Sequence, residues 1–131
     1  MCPAVTVVAL VLFASPSMAE QTVLNCKGTM ANLLTNGESS YSANITLTKA
    51  NGKVVKAVDN HKTVFVPQRT KSKDGSYYTQ LIVEPARIIL RYTYPDDDQV
   101  LDTVIENSGS FSSRLPIALV TGDCTVGKAL F

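Results

Sequence analysis

The chain has 131 residues, with 12 basic and 11 acidic side chains and a formal net charge of +1 at pH 7. This balance argues against a general polyanion binder, which needs a strongly basic face. The length allows one domain with a single core.

Residues 4–14 read Ala-Val-Thr-Val-Val-Ala-Leu-Val-Leu-Phe-Ala. As a helix this run would rise about 16 Å, roughly half a bilayer core, so it is too short to span a membrane. It suits the hydrophobic segment of a signal peptide, although Met1-Cys2-Pro3 ahead of it lacks the usual Lys or Arg. Pro16 breaks the run, and Ser17 and Ala19 supply the small side chains that a signal peptidase reads. Cleavage is expected between Ala19 and Glu20, giving a signal peptide over 1–19 and a single all-β domain over 20–131. The residue directly after the cut is Glu20 rather than Cys, so a lipoprotein anchor is not expected. Cys2 leaves with the leader, and Cys26 and Cys124 remain. In an oxidising, periplasmic or secreted setting an even pair forms a disulfide. It would close a loop across 98 residues of sequence.

The segment around Leu24, Cys26 and Met30 reads as a first strand. Tyr41, Ala43, Ile45 and Leu47 alternate with Ser42, Asn44, Thr46 and Thr48, the period of a strand with one buried face. Asn51-Gly52 is a hairpin signal, because both turn residues tolerate positive φ. Residues 53–58 should return antiparallel, Asp59-Asn60-His61 turn again, and residues 62–66 form a short strand ending at Pro67. A polar, basic loop follows over 68–75. Tyr77, Leu81 and Val83 mark the inward face of the next strand. Ile88, Leu90, Tyr92 and Tyr94 mark that of another, and Pro95-Asp96-Asp97-Asp98 turns the chain. Leu101, Thr103 and Ile105 suggest a strand, Asn107-Ser108-Gly109 a break, and residues 116–125 the last strand. No crossover helix is available, so pairing should be antiparallel. The reading is an all-β antiparallel meander of about eight strands, closed into a small barrel, with a two-sheet sandwich as the alternative. A bridge between the first and last strands suits closure, which removes two exposed edges.

Candidate chemistry is sparse. His61 is the only histidine, and in Asp59-Asn60-His61 it reads as a turn residue rather than as one arm of a hydrolytic triad. Two cysteines and one histidine are too few for a zinc site. Asp96-Asp97-Asp98 fails as a calcium-binding EF-hand loop, because Val100, Leu101 and Asn107 stand where a ligand, a glycine and a glutamate are needed. It reads as a solvated hairpin tip. No catalytic, metal or cofactor residues are assigned, and the chain is not expected to be an enzyme. Arg69, Lys71, Lys73, Tyr77 and Tyr78 place basic side chains beside aromatics, the segment best suited to contact a partner. The partner would be a protein or a small apolar ligand, since compartment and charge speak against nucleic acid. Asn44-Ile45-Thr46 is an N-glycosylation sequon on the outward parity of its strand. The terminal Phe131 resembles the aromatic residue that ends the last strand of outer-membrane barrels, but the polar outward faces fit a soluble barrel with no span in the mature chain.

Leu24-Asn25-Cys26-Lys27-Gly28-Thr29 and the closing Cys124-Thr-Val-Gly-Lys-Ala-Leu-Phe131 resemble a group of small exported proteins of Gram-negative bacteria. These share an early Cys-x-Gly, a second Cys near the end and a terminal Leu-Phe. The resemblance implies a periplasmic location and a β-fold; the group has no known activity. Asp74-Gly75-Ser76-Tyr77 is also loosely similar to the Ser-Gly-x-x-Tyr loop of periplasmic lysozyme inhibitors. The expectation is therefore a non-enzymatic binding module, with a passive structural or stress-related envelope protein, or an inhibitor of lysozyme, as alternatives.

Overall fold

The computed structural model describes residues 19–125. The expected leader up to residue 18 and the terminal Phe131 lie outside the described residues.

Ten strands form one antiparallel sheet: β1 (Ala19–Asn32), β2 (Glu38–Ala50), β3 (Lys53–Val58), β4 (Val64–Phe65), β5 (Thr70–Lys71), β6 (Tyr78–Val83), β7 (Arg87–Tyr94), β8 (Gln99–Glu106), β9 (Ser110–Leu115) and β10 (Ala118–Thr125). Their order is β4-β3-β2-β1-β10-β9-β8-β7-β6-β5, so every pair is sequential except β1 with β10. The sheet curls until its two ends meet. Leu81 N donates to the Val66 carbonyl at 2.8 Å, and Thr79 Oγ1 to the Val64 carbonyl at 3.1 Å. The result is a nearly closed barrel rather than two stacked sheets.

Alternation selects the core. Leu24 and Cys26 on β1, Ile45 and Leu47 on β2, Ile88 and Leu90 on β7, and Val120 and Cys124 on β10 all point inward and are buried. At the β2–β3 hairpin Asn51 (φ 55°) and Gly52 (φ 79°) both occupy the left-handed region, as a type I′ turn requires. Asn44 is exposed on β2, as its parity demands.

The seam between β1 and β10 joins the two ends of the chain. Cys26 stands opposite Cys124 in register, and a disulfide links them. Two residues further along β1, Gly28 faces Gly122. A Cβ on Gly28 would collide with the Thr121 carbonyl, and one on Gly122 with the Lys27 carbonyl. Only glycine permits this approach.

Several details differ from the sequence reading. Residues 110–115 form a strand of their own, and the last strand starts at Ala118 because Pro116 and Ile117 make the turn before it. Ser110, Ser112 and Ser113 give β9 little apolar signal; Ser113 is nevertheless buried, its hydroxyl 2.7 Å from that of Thr103. The strand expected over 62–66 shrinks to Val64–Phe65, since Lys62 adopts φ 67° within the preceding turn. The basic loop contains β5, which pairs with the start of β6. Val83 shares the parity of Leu81 but is 46% exposed, because β6 ends there.

Candidate functional site

The inward face of two strands changes character along its length. On β2, buried Ile45 and Leu47 give way toward the β1–β2 turn to Ala43 and half-buried Tyr41. On β7, buried Ile88 and Leu90 are followed by half-buried Tyr92 and Tyr94. β2 and β7 thus bring their tyrosines to a common opening.

The turn between β3 and β4 closes one side of that opening. Asp59 organises it: its Oδ1 accepts from His61 N at 3.0 Å and Thr63 N at 2.9 Å. Its backbone carbonyl accepts from Lys62 N at 3.0 Å. This is an Asx-type turn, the role read for Asp59-Asn60-His61 from sequence. Oδ2 turns to the barrel and accepts from the Tyr92 hydroxyl at 3.3 Å.

Between these groups lies a half-open cavity of about 210 Å³. Its depth is largely apolar, with Ile45, Phe65, Leu90, Leu101, Phe111 and the Cys26 end of the disulfide, and the Thr103 and Ser113 hydroxyls there are paired with each other. Its rim is polar and aromatic, with Tyr41, Tyr92, Tyr94, Asp59 and His61. An apolar cavity of about 150 Å³ accommodates benzene. Drug-sized pockets begin near 300 Å³. The volume therefore suits a single ring with a short arm.

The tyrosines are packed on one another. Tyr92 meets Phe65 edge-on at 5.3 Å between ring centres, Tyr77 at 5.3 Å, and Tyr94 in a stacked arrangement at 6.1 Å. Burial pushes the Tyr92 hydroxyl up to about 12; the negative charge of Asp59 adds to this, and a hydrogen bond with Thr63 opposes it. Burial and the Asp59 charge raise Tyr41 also. Burial, then the neighbouring Tyr77, raises Tyr94. All three hydroxyls stay protonated as hydrogen-bond donors at neutral pH.

The five residues singled out in the basic segment do not converge. Arg69 stacks on the Tyr78 ring at 3.7 Å. Tyr77 goes the other way, into the tyrosine cluster, 5.7 Å from Tyr94. Lys71 and Lys73 are exposed along a shallow groove of about 540 Å³, which Lys62 and His61 line from the opposite side. The loop tip is ordered by Asp74, whose Oδ1 accepts from the Ser76 hydroxyl, the Ser76 amide and the Ser72 hydroxyl at 2.7, 2.9 and 2.9 Å. These bonds, Ser76 foremost, hold its carboxyl down to about 2.

Asp96 and Asp97 sit in a single 3-10 turn, and Asp98 follows at φ 52°. Among the described residues no group of His, Cys, Asp and Glu is placed to hold a metal ion, and no helix is long and apolar enough to cross a membrane. Sequence reasoning placed Tyr41, Tyr92 and Tyr94 on the inward face but took them for core, and it gave Asp59 only a turn. The available signal was that inward positions turn from aliphatic to tyrosine along both strands. No family model, curated protein or solved structure matches the chain, so the site's own chemistry carries the functional reading.

Proposed function

We propose that the protein is an exported, non-enzymatic binding module that takes a small, largely apolar ligand into the tyrosine-rimmed end of its barrel. The observation that carries this reading is the half-open cavity, largely apolar in depth and fringed by convergent polar groups, the usual form of a ligand site. The Cys26–Cys124 disulfide suits an oxidising, extracytoplasmic environment, in keeping with a periplasmic or secreted location. Ala43 lines the cavity wall on β2, so Ala43→Leu fills part of the space without touching the polar rim. With benzyl alcohol as probe, the native protein should show saturable quenching of tyrosine emission, and A43L should lose it while keeping its unfolding midpoint. Equal binding by both would place the ligand elsewhere.

A second reading rests on the groove lined by Lys62, Lys71 and Lys73. Its charge suits an acidic face of a partner protein recovered from the same compartment. Replacing Arg69, Lys71 and Lys73 together with Ser should weaken capture of such a partner, and unchanged affinity would remove this reading. Lysozyme is one partner to try, given the Asp74-Gly75-Ser76-Tyr77 likeness, although Tyr77 is packed against Tyr92 and Tyr94. Failure of both tests would favour a passive structural role in the envelope.

A further inference from the structure

The polar groups of the cavity are unevenly distributed, and the imbalance specifies a charge. Asp59 is fixed in place because Oδ1 is held by the two amides of its own turn. Among the described residues Oδ2 has a single partner, the Tyr92 hydroxyl at 3.3 Å, which is long for an O–H···O bond. A carboxylate offers about four acceptor sites. Asp59 therefore keeps unused acceptor capacity on the oxygen that faces the cavity.

What surrounds that oxygen is aromatic. Tyr41, Tyr92 and Tyr94 line the rim with it, and their ring faces carry partial negative charge. The tyrosine hydroxyls are neutral and keep acceptor lone pairs that an ammonium can use, and the one bond from Tyr92 leaves Oδ2 room for a second donor. Among the described residues two other charged or titratable side chains border the cavity. His61 is exposed at the rim. Arg114 is exposed as well, and its Nε donates to the Leu115 carbonyl at 3.3 Å. Neither approaches Asp59 within ion-pair distance among the described residues.

We infer that the cavity selects a small organic cation, an ammonium on an apolar and preferably aromatic body. Its ammonium lies against Asp59 Oδ2 among the tyrosine rings, and its body rests on Phe65, Leu90 and Phe111. This rests on reading the cavity as a ligand site, and the test separates the two. The chain has no tryptophan and five tyrosines; Tyr41, Tyr92 and Tyr94 line the cavity, and Tyr77 packs on two of them. Tyrosine emission consequently reports on the site directly.

Benzylamine, benzyl alcohol and benzoate are matched in size and differ in charge, and each is titrated into the native, oxidised protein. Benzylamine should bind about tenfold more tightly than benzyl alcohol, with benzoate weakest. Asp59→Asn retains an oxygen for the two turn amides and should bring benzylamine down to the level of benzyl alcohol. Tyr41→Leu, which leaves the turn untouched, should narrow the preference for benzylamine by about threefold. Benzyl alcohol or benzoate binding as well as benzylamine would overturn the charge selection and leave the cavity as an apolar site. A preference for benzylamine that survives both substitutions would overturn it too. Binding of none of the three would overturn the ligand-site reading itself.

Discussion

The barrel is closed at two seams that are built differently. At β1–β10 the register is continuous from Asn25↔Thr125 to Asn32↔Ala118, a disulfide crosses it, and a glycine pair lets the backbones nearly touch. At the other seam the two-residue strands β4 and β5 share the edge of β6. There Leu81 N, Thr79 Oγ1 and Gln80 Nε2 donate to the carbonyls of Val66, Val64 and Pro67 at 2.8, 3.1 and 3.1 Å. The first seam unites segments about a hundred residues apart, so the chain entropy of closing that loop must be met. The second unites near neighbours in sequence and needs less. The lysine-lined groove and the Phe65 side of the cavity border this lighter seam, where local opening should cost least, while Tyr41 and Cys26 carry the cavity across to the first.

Removing the bridge is the largest test of that contrast. Cys26→Ala with Cys124→Ala should cost about 2–5 kcal/mol in urea-induced unfolding. A loss below that range would mean that the seam stands on packing alone. Gly28→Ala should follow at about 1–3 kcal/mol, because the added methyl has only backbone to push against. A neutral result would show that β1 and β10 can part without harm. On the lighter seam, Thr79→Val removes the hydroxyl that meets the Val64 carbonyl and should cost only about 1 kcal/mol. Hydrogen exchange should show the loss confined to β4, β5 and β6; a global rise in exchange would deny the seams their independence.

The last test depends on pH. Tyr92 is raised to about 12 in the fold, against about 10 in an unfolded chain. The folded state then holds the proton more tightly. Its contribution is complete below about pH 10 and disappears as pH rises through about 12. Unfolding midpoints should fall across that window in the native protein and fall less in Tyr92→Phe. Identical profiles would assign the alkaline loss to other groups.

The fold was legible where residues make their own local case. The alternation from Tyr41 to Leu47, the Asn51-Gly52 turn and the inward run from Ile88 to Leu90 each specify an element without reference to the rest. Cys26 and Cys124 were legible as a pair because the expected loss of Cys2 with the leader leaves no other partner. β9 was not, since Phe111 is its one deeply apolar residue before Leu115, and Ser113 is buried only because β8 brings the Thr103 hydroxyl to it. β5 exists through its neighbour β6 rather than through its own sequence. The cavity is illegible for a related reason: Tyr41, Asp59 and Tyr92 are far apart in the chain and meet only after closure. An aspartate that satisfies its own turn gives no local sign that its second oxygen faces a ring of tyrosines.

The bridge between the first and last strands has one further effect. Most of the described chain lies between Cys26 and Cys124, so in the oxidised molecule this stretch is topologically a ring. A protease that cuts the exposed tip at residues 73–76 releases no fragment. It adds one water, and both halves remain joined by the sulfur bridge and by the sheet. The nicked protein should migrate as one species until reduced, and as two afterwards. In a compartment rich in proteases, the bond then preserves the molecule rather than any single peptide link.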